Sequence, residues 1–345
     1  MTTPATGPIA DDRGFTLTEL LVATAVTLAV TGAAFTALRD ANKAAEAVGV
    51  MSDVNQTLRI AMNTIIRDLS QAGEGDYSLR TGVSIPSGAD TDPIVRPSPD
   101  AADWFFPDTY TILPAVSPAS GLGPVINGVA TDVVTLLFED RSLEFGGVTP
   151  NIPASGASMT FPVTFDMGTG PNALTEGDLI RFGNGAIQEV TLRAGRTLHF
   201  QSDAASNLNQ RDAPQGSVME LKAGEPTFPA LQVSRVQMIT YYIRVTDGGI
   251  PQLIRRVNYG DERVIAVGVE NLQLSWDLVD GVTNPTNVET FADDGAEGQI
   301  RKANVYLAAR SQDVYSGTSE PMRTSLSTQV SLRSLAFVSR YDLQD

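Results

Sequence analysis

The chain begins with an apolar segment that carries a single charge. From Phe15 to Leu38 there are 24 residues, and Glu19 is the only ionised side chain among them. At a rise of about 1.5 Å per residue, a helix over this segment is about 36 Å long, which is enough to cross a bilayer with some tilt. The sequence therefore predicts a membrane-spanning helix over residues 15–39.

A carboxylate inside such a helix needs a partner. By insertion scales an acidic side chain near the centre of a span costs roughly 2.5 to 3.5 kcal/mol. A free α-amino group is the simplest cation that could neutralise Glu19, and Phe15 would carry one if the chain were cut after Gly14. The position of the acid therefore indicates a cleaved amino terminus.

The residues around this position resemble a known junction. The segment 14–22 reads Gly-Phe-Thr-Leu-Thr-Glu-Leu-Leu-Val, which is similar to the class III leader junction of type IV pilins and type II secretion pseudopilins. In that family a prepilin peptidase cuts after the glycine and methylates the new terminal residue. The resemblance implies a leader over 1–14, cleavage between Gly14 and Phe15, N-methylation of Phe15, and pairing of Glu19 with a neighbouring subunit's amine during filament assembly.

An ordinary signal anchor or secretory signal peptide is the alternative interpretation. A secretory signal has a basic start and an apolar core of about 7 to 15 residues, and the run here is longer. Arg13 is the leader's only cation, and Arg39 and Lys43 lie at the far end of the span, so the positive-inside rule gives no support for orientation. The junction motif instead predicts a single inner-membrane span with the carboxy-terminal domain in the periplasm or at the cell surface.

The helix is predicted to continue as an amphipathic segment over 40–73. Apolar residues recur at intervals of three and four along one face, as in a helix that packs on a sheet: Ala47, Met51, Val54, Leu58, Ala61, Ile65, Leu69 and Ala72. Polar residues between them are assigned to the water side: Asp53, Asn55, Gln56, Arg59, Asn63, Arg67 and Asp68. Gly73 is a suitable residue to end the helix in a left-handed turn.

Residues 74–130 lose this regular patterning. Eight of the chain's 20 prolines lie from Pro86 to Pro124, mixed with Ser, Gly and Asp, which is typical of a long insertion. Trp104, Phe105 and Phe106 lie within it. These rings either form a partner-binding knob or pin the insertion onto the domain.

Residues 131–345 are predicted to form a β-rich extracytoplasmic domain. Short alternating or apolar runs predict strands at 132–138, 178–182, 187–192, 237–245 with 252–257, 272–278, 301–310 and 329–340. The fold class is therefore α+β, a pilin-like long amino-terminal helix packed on antiparallel sheets. Segments 66–73, 240–243, 253–256, 269–274, 301–310 and 331–335 also resemble PilW-like minor pilins and, more distantly, J-type minor pseudopilins.

The composition of the chain disfavours or excludes several classes of function. The net charge of −16 disfavours nucleic acid as a partner, because phosphates are repelled by an acidic surface. The absence of cysteine excludes disulfides, thiol catalysis and cysteine-ligated metals. The single histidine, His199, lies in a predicted strand, and catalytic and nucleotide-binding fingerprints are missing. Adjacent acids at Glu139–Asp140 and 293–294 carry no assignment, so we predict no catalytic residues and no enzyme.

One acidic stretch suits calcium by its chemistry. Carboxylates on a flexible loop are the ligands that Ca²⁺ prefers, and the stretch 277–297 contains Asp277, Asp280, Glu289, Asp293, Asp294 and Glu297. The EF-hand spacing is absent, and a solvated acidic loop is the favoured interpretation. No other metal or cofactor is expected.

These observations predict a non-enzymatic minor pilin (PilW-like) of a type IV pilus or related filament, acting in a tip or initiation complex. Its expected partners are other pilin or pseudopilin subunits through the amino-terminal helix, the prepilin peptidase and the inner membrane. Two alternatives stay open: a minor pseudopilin of type II secretion, and an adhesin or uptake binding module on a pilin stem. The insertion motivates the last of these.

Overall fold

The fold is organised around one long amino-terminal helix. The computed structural model describes residues 14–75, 77–99, 104–143, 145–183, 185–202, 204, 206–222, 224–291, 296–314 and 320–337, so the predicted leader, apart from Gly14, lies outside the described residues. Helix α1 spans Leu17–Gln71, 55 residues and about 82 Å. Gly73 follows it with φ +73°, and the predicted left-handed stop is confirmed.

The remaining elements are short helical turns and antiparallel strands. Helix α2 spans Tyr77–Thr81, and 3₁₀ turns lie at Gly170–Asn172, Glu220–Lys222, Ala296–Gln299 and Arg333–Phe337. The first strands are β1 Val83–Ser84, β2 Ile112–Leu113, β3 Val116–Ala119, β4 Val125–Ile126, β5 Val129–Ala130, β6 Val133–Glu139, β7 Ser158–Thr160, β8 Leu179–Phe182 and β9 Gly185–Glu189. The later strands are β10 Leu192–Ala194, β11 Thr197–His199, β12 Val233–Val245, β13 Pro251–Val257, β14 Glu262–Val267, β15 Val269–Leu278, β16 Ile300–Val314 and β17 Pro321–Ser331.

Two of the sheets contain the longest strands. The larger has the order β14-β13-β12-β6-β3, with β8 paired to β12 and β9 paired to β8. The second is β15-β16-β17. Smaller pairings join β10-β11-β7, β1-β2 and β4-β5, and all described pairings are antiparallel. A long helix packed on antiparallel sheets confirms the predicted α+β, pilin-like fold class.

The larger sheet is covered on both faces, which explains why its central strand β12 is apolar along most of its length. Ile239, Tyr241 and Ile243 point into a core shared with α1 and the second sheet. Val236 and Met238 point into a separate core on the opposite face. Alternate residues of a strand face opposite sides, so a strand between two cores must be apolar at successive positions rather than at every second one.

The second core is covered by residues 79–99 and 104–113, which we call the cover segment. Ile85, Ile94, Phe106 and Tyr110 from this segment are buried against the sheet. Trp104 packs edge-on against Tyr242, with ring centroids 5.4 Å apart. Much of the proline-rich region therefore contributes hydrophobic core to the domain.

The carboxy-terminal strand differs from the prediction at 329–340. Strand β17 ends at Ser331, and a 3₁₀ turn follows at Arg333–Phe337; residues 338–340 lie outside the described part of the chain. Leu332 and Leu335 are both buried, and a spacing of three places two side chains on one side of a turn but on opposite faces of a strand. The predicted continuation of the strand is wrong for this reason.

Two buried tyrosines and one half-buried tyrosine predict a loss of stability in alkali. Burial is the largest cause that raises the pKa of Tyr110, Tyr241 and Tyr259, and a carboxylate neighbour of each raises it further. Below the ordinary tyrosine pKa, about 10, the phenols are protonated in both states and stability is unaffected. Above it the unfolded chain releases protons that the folded chain keeps, so stability falls by about 1.4 kcal/mol per pH unit for each tyrosine.

The measurement is the melting temperature between pH 8 and 11.5, followed alongside phenolate absorbance. We expect a plateau up to about pH 10 and then a steep fall, with phenolate appearing together with unfolding. Titration of these tyrosines in the folded protein near pH 10 would contradict the prediction.

Candidate functional site

The amino terminus of α1 is fixed by a reciprocal cap. Thr16 is the N-cap residue, and its hydroxyl accepts the Glu19 backbone N–H at 3.2 Å. The Glu19 carboxylate in turn accepts the Thr16 backbone N–H at 3.0 Å and the Thr16 hydroxyl at 2.8 Å. This capping box satisfies two backbone donors of the first turn. It holds the Glu19 carboxylate at the start of the helix, four residues from Phe15.

Phe15 and Glu19 are both exposed and lie away from the described residues of the globular domain. Phe15 is 87% exposed, and among the described residues no lysine or arginine forms an ion pair with Glu19. The protomer thus presents an acid, at the end of an apolar helix, whose described hydrogen-bond partner is Thr16. Such a group is available to a cation from outside the protomer.

The first half of α1 projects away from the rest of the protein. The large apolar side chains from Leu17 to Leu38 are exposed, and the first buried residue of the helix is Val54. A Cβ placed on Gly32 or Gly49 would meet nothing within 4 Å. Among the described residues α1 is the one helix long and apolar enough to cross a membrane. The first half of α1 therefore does not pack on the described part of the domain. An apolar environment outside the protomer must cover it.

The second half of α1 is bound to the sheets, and its buried face departs from the prediction at two residues, Met62 and Asp68. Val54, Leu58, Ala61, Ile65 and Leu69 are buried in the shared core, as their spacing predicts. Met62, which was not assigned to the apolar face, is buried with them.

Asp68, predicted to lie on the water side, is 1% exposed. Its Oδ2 accepts the Tyr241 hydroxyl at 2.7 Å and the Arg255 Nε–H at 2.6 Å. Because these partners satisfy the carboxylate, it can be buried. The assignment to the water side is wrong, and no local pattern in the sequence indicates the two partners.

A buried arginine, Arg96, binds the cover segment to strands β3 and β6. Arg96 is 1% exposed. Its guanidinium donates to the carbonyl oxygens of Phe105, Ser117 and Pro118. Nη1 also donates to the Thr135 hydroxyl, and Nη2 donates to the Ser117 hydroxyl. Its guanidinium carbon lies 4.3 Å from the centre of the Phe106 ring. Burial lowers the pKa of Arg96 to about 10. Sequence reasoning did not single out this residue, since one arginine in a proline-rich stretch carries no signal of burial.

His199, Glu139 and Asp140 lie in or directly after strands. His199 ends β11 in the small sheet β10-β11-β7. Asp140 follows β6, and one oxygen of its carboxylate lies 2.9 Å from Nε of the buried Arg235 and accepts the Gln237 side-chain amide. The Glu139 backbone N–H donates to the Glu74 carbonyl. The pair at 293–294 lies outside the described residues.

The acidic stretch 277–297 uses several of its carboxylates internally. Asp280 accepts the backbone N–H groups of Val282, Thr283 and Asn284, each at 2.8 Å, and Glu297 accepts the Tyr110 hydroxyl. Within the described parts of the chain no three histidine or acidic side chains gather in a way that could hold a metal ion. Calcium binding by this stretch stays a prediction.

The helical stem, the capped acid and the antiparallel domain define a membrane-anchored, pilin-like protein. Residues 9–35 match the family model described as the prokaryotic N-terminal methylation motif, which supports a type IV pilin-like prepilin. Proteins of this pilin type are structural rather than enzymatic. No curated protein and no solved structure matches the chain.

Proposed function

We propose that this chain is a minor pilin, a subunit of a type IV pilus or a related filament. The observation that carries the proposal is the projecting half of α1, which begins at the methylation motif and has no packing role in its own domain. An apolar helix of this kind is covered by lipid before assembly and by the helices of other subunits afterwards. The same helix therefore serves as anchor and as assembly element.

In this proposal the prepilin peptidase cuts between Gly14 and Phe15 and methylates the Phe15 amine. Glu19 then neutralises the amine of a neighbouring subunit, because an ion pair is the least costly state for both charges in an apolar surrounding. The domain lies outside the inner membrane, in the periplasm or at the cell surface. The large domain, with two cores on one sheet and a further one around β7, β8 and β11, favours a place at the tip or in the initiation complex.

The direct test is the mass of the amino-terminal peptide of protein extracted from membranes of cells with active prepilin peptidase. We expect a chain that starts at N-methylated Phe15. In cells without the peptidase the peptide should extend into the leader. A chain that keeps residues 1–14 in both backgrounds would contradict the proposal and favour a signal-anchored protein.

Replacing Glu19 by glutamine tests the assembly role. We expect about a tenfold or larger loss of co-purification with the other filament subunits, which corresponds to about 1.4 kcal/mol of lost pairing energy. The domain should keep its melting temperature, because the described hydrogen bonds of Glu19 are with Thr16, at the start of the helix.

The matched control is Asp53→Asn, which makes the same acid-to-amide change at an exposed position further along the helix. Equal co-purification of Glu19→Gln and Asp53→Asn would show that the carboxylate at 19 has no part in assembly.

A further inference from the structure

The outer face of the second sheet carries an ordered set of amides and hydroxyls. In the cross-strand register of β15, β16 and β17, Tyr306 lies between Gln273 and Ser327, and Asn304 lies between Ser275 and Gln329. We call these six residues, with Asp277, the polar face. The opposite face of the same sheet, with Leu272, Val305 and Leu307, packs in the core shared with α1. Because α1 packs on the opposite face of the sheet, it does not cover the polar face.

The polar face forms the floor of a groove. A cavity of about 390 Å³ lies over Tyr306, Asn304 and Gln329, with Asn287 and Glu289 among its lining residues. A second cavity of about 330 Å³ adjoins it at Tyr306 and is lined on its far side by Asn127 and Val129 of the β4–β5 hairpin. Tyr306, 38% exposed, lines both. The first cavity alone is within the range of roughly 300 to 1,000 Å³ that is usual for small-ligand sites.

The amides of the polar face are held in fixed orientations. The Asn304 side-chain NH₂ donates to Asp277 at 3.0 Å and to Asn287 at 3.1 Å. The Gln329 side-chain NH₂ donates to Asp277 at 3.0 Å and to Asn304 at 2.9 Å. These bonds use the NH₂ hydrogens of both amides and fix which end of each is the oxygen. The face is therefore organised before any ligand arrives, which lowers the entropy cost of binding.

Several groups on the groove have no hydrogen-bond partner among the described residues: the Tyr306 and Ser327 hydroxyls, the Gln329 side-chain oxygen and the Asn287 side-chain NH₂. They include donors and acceptors in one patch around an exposed ring. A ligand that satisfies them must offer both kinds of group at short spacing, together with an apolar surface for the ring.

The negative charge at the groove disfavours anionic ligands. Asp277 accepts the two amides and the Asn287 backbone N–H. Glu289 is the one charged residue among those that line the first cavity, and the charged residues of the second, Glu270 and Arg323, pair with each other at 2.8 Å. Together with the net charge of −16, the Glu289 carboxylate repels anionic ligands. Tyr306 is the one aromatic ring among the lining residues of the first cavity, and its aliphatic lining residues, Leu274 and Val305, are buried, which is unlike the core of a stable protein interface.

We propose that the polar face binds neutral saccharides. A pyranose carries hydroxyls that donate and accept at neighbouring carbons and has a C–H face that packs on an aromatic ring, so it matches Tyr306 and the surrounding amides. The two adjoining cavities form a trough across the sheet, which suits an oligosaccharide rather than a single sugar. The site is distinct from the stem and from the filament role proposed above.

The test is a glycan array carrying neutral and sialylated glycans, probed with the full chain in lauryldimethylamine oxide, a detergent without a sugar head group. We expect binding to neutral glycans. Tyr306→Ala should reduce the signal by about tenfold or more, as for a dominant contact, and Gln329→Ala should also weaken binding. Tyr306→Phe, which keeps the ring but loses the hydroxyl, should weaken binding less than Tyr306→Ala does. Gln201→Ala, at an exposed glutamine outside the site, should bind like the unaltered protein.

Three results would overturn the proposal: no binding to any neutral glycan, binding confined to sialylated glycans, or unchanged binding by Tyr306→Ala. Melting temperatures establish that each variant is folded. Amino-terminal processing and co-purification with filament subunits, measured on the same variants, should be unchanged. Loss of saccharide binding with normal assembly therefore bears on this site alone, whereas failure of the filament role appears in Glu19→Gln.

Discussion

Arg96→Ala is expected to destabilise the domain by about 3 to 5 kcal/mol. The change leaves a cavity where a long side chain was packed and removes the donors from three buried or half-buried carbonyl oxygens. Those carbonyls belong to Phe105, Ser117 and Pro118, so the loss affects both the cover segment and the strand beneath it.

The position of Arg96 also predicts where unfolding begins. Arg96 joins the cover segment to β3 and β6, so its loss should release this segment before the shared core opens. Trp104 reports on the cover segment through its contact with Tyr242, and Trp276 reports on the shared core, where it is fully buried. Early protease cleavage within 86–110, together with an early change in Trp104 fluorescence, is the expected result.

Two further variants separate the effect of the cavity from the effect of the lost hydrogen bonds. Arg96→Met fills much of the space but leaves the carbonyls unsatisfied, so we expect a loss between that of alanine and that of the unaltered protein. Arg263→Ala, at an exposed position on β14, should change stability by no more than about 0.5 kcal/mol. An unaltered unfolding midpoint for Arg96→Ala would show that the hydrogen bonds of Arg96 are not needed for stability.

Asp68→Ala is the second variant with a large expected effect, about 3 kcal/mol. The change leaves the Arg255 guanidinium, whose side chain is 14% exposed, without its carboxylate, and it deprives the buried Tyr241 hydroxyl of its acceptor. Breaking a buried charge pair by removing one partner is costly because the other charge stays desolvated. Urea unfolding followed by tryptophan fluorescence measures the loss.

The matched control is Asp53→Ala on the same helix, where the side chain is exposed and the effect should be within about 0.5 kcal/mol. A double-mutant cycle with Arg255→Ala should give a coupling energy in the range of about 0.5 to 3 kcal/mol. Additive effects would mean that Asp68 and Arg255 act independently. Because the pair joins α1 to β13, its loss should also loosen the angle between the stem and the domain, which co-purification with filament subunits would detect.

Much of the fold could be predicted because its signals are local. The apolar run and the stop at Gly73 both lie within a few residues of the feature that they determine. The capping box of Thr16 and Glu19 was not predicted, although it is equally local. The hairpin of β12 and β13 is similarly encoded, since its strands pair directly across a short turn. The junction motif is also a local signal, which is why Gly14 and Phe15 could be named as candidate processing residues, and Glu19 as a candidate assembly residue, without a structure.

Other features depend on residues that are far apart in the chain. Asp68 is 173 residues from Tyr241 and 187 from Arg255, so a helical wheel places it on the water side although its partners bury it. The cover segment lacks periodicity, because its residues follow the shape of the sheet beneath them rather than a regular repeat. Neither result follows from spacing or propensity.

The sequence by itself determined the membrane-length stem, the capped acid at its start and the α+β class, because periodicity and capping act between residues that are near one another in the chain. The tertiary structure alone decided which polar residues are buried, how the proline-rich segment completes a second core, and which side chains meet on the polar face. Those outcomes depend on strand register and on long-range packing, where a carboxylate or an arginine is stabilised only by partners that the fold brings to it.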